Sequence, residues 1–232
     1  MRTPKHHIIS LIKITNFPAD VVAGNLFCNR LQYYREAELQ EIADEYEATA
    51  VSKWYKLVDK DLLSCPVFCM YSVEVNKQDD LTKIQLSDER LKKFGDYAVV
   101  ITDVKEFINR INAKLNGFLY EAIRYIDMKN PEGIDRYSIF NPIATKDKSF
   151  KHQHEFRIFS HFWALASDTD FKMPNVKYIS ERYKKFPIGD LKDITQKFET
   201  KELFSGVNVE LKIDWEFCLK DKFKSKFPKL PN

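Results

Sequence analysis

The chain predicts a single α+β domain: a bent, mostly antiparallel sheet, mixed in places, with helices at its flanks. Three observations lead there. Short runs with strand-like alternation outnumber the crossover helices that a parallel sheet requires. The 232 residues are enough for one sizeable core. No internal repeat or low-complexity linker divides residues 1–219, and residues 220–232 form a basic, aromatic tail of different character.

Taken in order, Ile8 to Thr15 reads as the first strand, with Lys13 as its only charge. Asn16-Phe17-Pro18 stops it, and Pro18 to Ala23 reads as a short helix with Gly24 as its stop. Asn25 to Asn29 suits a short strand, and the amphipathic run from Leu31 to Glu47 suits a helix. Val67 to Val75 is the clearest buried strand of the first half. Leu86 to Gly95 reads as a helix with Ser87 as its N-cap, followed by a strand from Tyr97 to Thr102. Val104 to Leu115 carries Phe107, Ile108, Ile111 and Leu115 on one helical stripe. Leu119 to Met128 alternates as a strand, closed by the turn signature Asn130-Pro131-Glu132-Gly133. Beyond Trp163 the pattern predicts a strand from Val176 to Ile179, a helix from about Ile188 to Phe198, and a last strand from Val207 to Phe217.

Composition narrows the function classes. An apolar fraction of 44% and a charged fraction of 31% are those of a globular protein. No apolar run approaches the roughly 20 residues of a membrane span, so no membrane partner is expected. The basic N-terminus lacks a following apolar segment, which argues against export. Cys28, Cys65, Cys69 and Cys218 are too scattered for a disulfide framework and predict free thiols in a reducing cytoplasm. Six scattered glycines write neither a dinucleotide fingerprint nor a phosphate loop. His152, His154 and His161 have no further ligands at a recognisable spacing, so no metal is expected.

The densest chemistry lies in Gln153-His154-Glu155-Phe156-Arg157, which enters an apolar run. On a strand, Gln153, Glu155, Arg157 and Phe159 share one face, and His154, Phe156 and Ile158 the other. A polar face of this kind inside a mostly apolar strand costs free energy unless its groups are paired or bind something. The tail Lys220 to Lys229 is the second feature. It interleaves five lysines with two phenylalanines, and Lys222, Phe223, Lys224 and Lys226 suit phosphate contact and base stacking on RNA or DNA.

The Gln153-x-Glu155 spacing resembles the Gln/Glu-x-Glu motif of mono-ADP-ribosyltransferases. That resemblance implies an ADP-ribosyltransferase-like fold with NAD as substrate. In it Glu155 is the catalytic carboxylate that stabilises an oxocarbenium-like ribose, and Gln153 addresses the acceptor. Gln at that place favours an amide, hydroxyl or nucleobase acceptor over arginine. Lys13 is then set against the ribose or phosphates of NAD, Tyr71 and Ser72 flank the nicotinamide, and Arg157 joins the cofactor-binding set. The segments Gly24 to Tyr34, Phe68 to Ser72, Phe94 to Tyr97 and Gln153 to Ile158 also resemble uncharacterised bacterial and phage-borne proteins linked to phage defence. This implies a toxin or antiviral role on a nucleic-acid or protein acceptor, with an antitoxin as a possible partner. Two alternatives stay open: a non-catalytic nucleic-acid- or partner-binding protein, and a nuclease pairing Glu155 with a second carboxylate such as Asp44 or Glu47.

Overall fold

Antiparallel pairing builds most of the molecule. The computed structural model describes residues 6–37, 43–51, 56–58, 60–76, 83–130, 141–160, 163–164, 177–178 and 183–218. Its strands are β1 (His6–Thr15), β2 (Asn25–Arg30), β3 (Thr49–Val51), β4 (Lys56–Val58), β5 (Pro66–Asn76), β6 (Tyr97–Ile101) and β7 (Phe118–Ala122). They continue with β8 (Arg124–Ile126), β9 (Thr145–Asp147), β10 (Glu155–Ser160), β11 (Trp163–Ala164), β12 (Lys177–Tyr178), β13 (Tyr183–Pro187) and β14 (Thr195–Glu199). The α-helices are α1 (Pro18–Val22), α2 (Leu31–Glu36), α3 (Lys60–Leu63), α4 (Val104–Lys114) and α5 (Thr200–Ser205). Eight strands form one sheet in the order β13-β2-β5-β1-β6-β14, with β10 paired to β5 and β7 paired to β10. The pairs β8–β9 and β11–β12 are parallel, so the architecture is α+β with a mostly antiparallel set of strands.

Strand β5 is the axis of the fold. On one edge Val67 to Tyr71 pairs with Phe159 to Glu155 of β10. The opposite edge is shared. Asn29 and Arg30 of β2 take Val67 and Pro66, whereas β1 takes Tyr71 to Asn76. After Ile12, β1 leaves β5 and continues along β6 alone, with Lys13 opposite Val99 and Thr15 opposite Tyr97. The sheet therefore parts between the second half of β1 and the first half of β5.

Alternation decides what covers each face. Leu11, Phe68, Met70, Phe156 and Ile158 pack with Val104, Phe107, Ile108 and Ile111 of α4. That helix starts where the sequence predicts, because the Asp103 carboxylate accepts from the Glu106 N–H at 2.9 Å. Ile12, Ile14, Ala98 and Val100 pack on the other side with Leu203 of α5. Val67 and Phe159 join Leu31, Ile123 and Ile143 in a third cluster. Among the described residues no helix is long and apolar enough to cross a membrane.

Several local expectations are corrected. The helix expected over 188–198 is instead a short 3-10 turn (Lys192–Ile194) and β14, because Thr195 to Glu199 pairs with β6 and completes that edge. The strand expected over Val207 to Phe217 reduces to one bridge between Val207 and Ile84. The Asp214 carboxylate accepts from the N–H groups of Glu216 and Phe217 and turns the chain there. Helix α2 ends at Glu36, and the Asp44 carboxylate turns the chain again by accepting from the Tyr46 N–H. The helix expected over 86–95 is a 3-10 segment (Glu89–Phe94) capped by Asp88, not Ser87. The strand expected over 119–128 is broken at Ile123 into β7 and β8. The tail residues Lys222, Phe223, Lys224 and Lys226 lie outside the described residues.

Candidate functional site

The pocket opens where β1 and β5 part. It encloses about 100 Å³ and is lined by Ile12, Lys13 and Ile14 from β1 and by Cys69, Met70 and Tyr71 from β5. Leu91, Phe94 and Tyr34 add apolar and aromatic wall, and Lys146, Gln153 and Glu155 supply the polar side.

Local structure sets each polar group. The segment Lys148–Gln153 is a 3-10 turn capped by the Asp147 carboxylate, and His154 ends it in the left-handed region at φ 39° and ψ 46°. Gln153 is thus in the turn, and only Glu155 opens the strand. The reversal at His154 is held by β5: the Ser72 N–H and hydroxyl both donate to the His154 carbonyl at 2.7 Å. Gln153 and Glu155 reach one wall by this turn rather than by strand alternation.

Glu155 is ion-paired on both oxygens. Arg157 Nε donates to Oε1 at 2.5 Å and Lys146 Nζ to Oε2 at 3.1 Å. Arg157 is fully buried, and its other nitrogens form a two-pronged pair with Glu47 and reach the Ile143 carbonyl at 2.7 Å. Lys146 Nζ also donates to Gln153 Oε1 at 2.8 Å, lies 3.5 Å from Glu47 Oε1 and sits over the Phe150 ring. The strand N–H of Glu155 donates to the Tyr125 hydroxyl at 2.7 Å. Burial works against charge on Glu155, but Arg157 and then Lys146 outweigh it and hold the carboxyl well below its usual range. The same cluster has a cost at Asp44, where burial and then the Glu47 charge push the acid up to about 6. Burial also pushes the neighbouring Cys69 thiol up to about 12, with the Glu155 charge adding to it.

Lys13 spans the parting of the sheet. Its Nζ donates to the Cys69 carbonyl at 2.7 Å and lies 4.5 Å from the centre of the Phe68 ring. Burial lowers its pKa, opposed by Cys69, Cys28 and Glu155.

Of the residues singled out from sequence, Glu155, Gln153, Lys13 and Tyr71 meet in this pocket. Ser72 and Arg157 are not in its lining: Ser72 holds His154, and Arg157 lies behind Glu155 among Glu47 and Ile143. Lys146 carried no sequence signal, because a lysine in a Lys-Asp-Lys run looks like a surface residue, and Tyr34 stood out only as the end of the resembling segment Gly24 to Tyr34. Glu47 stood out in the sequence only as an acid without a placed partner. Among the described residues no group of His, Cys, Asp and Glu is arranged to hold a metal ion.

Comparison of the chain with protein-family models, with curated proteins and with solved structures finds no match in any of the three.

Proposed function

We propose that the pocket cleaves the glycosidic bond of NAD and transfers ADP-ribose to a nucleic-acid or protein acceptor. One observation carries the reading: a carboxylate kept ionised by two cations lines the same pocket as an amide, an aromatic ring and a lysine. As nicotinamide leaves, positive charge grows on the ribose, and a fixed carboxylate stabilises it without having to reorganise. Glu155 suits that task better than proton transfer, since its low pKa makes it a poor acid at neutral pH. Tyr71 offers a face for nicotinamide, Gln153 an amide to orient the acceptor, and Lys13 a donor to ribose hydroxyls. The pocket accommodates a ring or a ribose, with the rest of the dinucleotide lying outside it.

A ligand-binding role without chemistry is the second reading. It is favoured by the engagement of Glu155 with Arg157 and Lys146, which offsets much of the carboxylate's field inside the protein. Incubation with NAD labelled in its ADP-ribose moiety, in the presence of RNA, DNA or lysate protein, separates the two. Transfer of label to one acceptor class is expected. Binding of NAD with no labelled acceptor and no released nicotinamide would leave the binding reading standing alone.

A further inference from the structure

Lys13 differs from the other cations of the cluster. Arg157 faces Glu155 and Glu47, and Lys146 faces Glu155 and Glu47. Among the described residues no carboxylate forms a salt bridge with Lys13; its Nζ donates to the neutral Cys69 carbonyl and lies over the Phe68 ring. Lys13 is nevertheless one of the residues that line the pocket, with Met70, Leu91 and Phe94 on the apolar part of the wall and Gln153 and Glu155 on the polar part. A buried lysine without a salt-bridge partner is costly to charge, and the Glu155 charge acting on it from the same lining offsets only part of that cost, whereas a neutral amine there keeps a lone pair for chemistry.

The geometry points to Lys13 as an imine-forming amine, and to the pocket as a site for a small aldehyde or ketone with one ring or a branched apolar body. The amine lone pair attacks the carbonyl carbon and a C–N bond forms. One proton passes from nitrogen to the carbonyl oxygen, and the second N–H proton goes to the resulting hydroxyl, which leaves as water while the C=N bond closes. No oxidant or reductant is needed. Burial of the amine lowers its pKa and so favours the neutral, nucleophilic form. The Cys69 carbonyl holds one N–H and fixes where the nitrogen stands. This inference goes beyond the NAD reading and does not rest on it, because Lys13 can be reactive whether or not NAD is cleaved.

Benzaldehyde with cyanoborohydride is a suitable probe, since reduction freezes the imine as a stable benzyl adduct that peptide mapping can place. With the folded full chain at pH 7, Lys13 is expected to carry on the order of ten times more adduct than exposed lysines such as Lys105, Lys148 and Lys201. The amines of those residues are almost wholly protonated at that pH. Lys146, in the same pocket but held charged by Glu155 and Glu47, is expected to stay unlabelled. In urea the preference for Lys13 should vanish. Adduct spread evenly over the lysines, equal labelling of Lys146, or a preference that survives unfolding would each overturn the inference.

Discussion

Arg157 is the largest of the fully buried side chains among the described residues, and it is charged. It is fully buried on β10, with every nitrogen committed to Glu155, Glu47 or the Ile143 carbonyl. Removing one partner of a buried pair strands the others, at a cost of about 3–5 kcal/mol. Arg157→Met, which keeps much of the volume, should therefore lower stability to urea by that amount; a loss below about 1 kcal/mol would show the cluster to be hydrated. Asp44 gives a pH signature of known sign. Its folded pKa of about 6 lies above the ordinary 3.8, so the folded state takes up a proton that the unfolded chain does not. The stability from this group is present below about pH 4 and lost as the pH rises through about 6. Asp44→Asn keeps an acceptor for the Tyr46 N–H and removes the charge. It should raise stability by on the order of 2 kcal/mol at pH 8 and change it little at pH 4. An equal gain at both pH values would contradict the assignment.

At the scale of elements, legibility followed how local the deciding interactions are. Strands β1 and β5 and helix α4 were readable because long apolar alternation or a helical stripe with an Asp103 cap specifies them within the segment. Strand β14 was not, because Thr195 to Glu199 is polar and is a strand only through its pairing with β6. The run Val209 to Phe217 alternates for a real reason, since Val209, Leu211, Ile213 and Phe217 pack on the cores, but Asp214 turns it before it can pair. Glu155 was visible by its place in a strand, while Lys146 was brought to it by a 3-10 turn that no periodicity announces. A junction between elements offers another test. Gly24 stands at φ +74°, and a Cβ there would lie 1.7 Å from the Gly189 carbonyl oxygen, where the chain before β2 meets the end of β13. Gly24→Ala combines left-handed strain of about 1–3 kcal/mol with that clash. Its melting temperature should fall clearly; an unchanged one would mean that the two loops separate easily.

On the scale of the whole molecule, the sheet is organised to create an opening rather than to close one. β5 serves β10 along one edge and divides the other between β1 and β2, so that Lys13, Tyr71 and Glu155 surround the gap. The charge cluster behind that gap fixes Glu155 and keeps it ionised, a costly arrangement that serves stability poorly compared with an apolar core. Its use is proposed to be the cleavage of NAD. The most direct measurement is nicotinamide release from NAD by the purified protein and by Glu155→Gln, with circular dichroism to confirm that both are folded. Wild-type protein should release nicotinamide, and the variant should be slower by on the order of 10²–10³. Equal release by a folded Glu155→Gln protein, or none from the wild type with any acceptor present, would contradict the account.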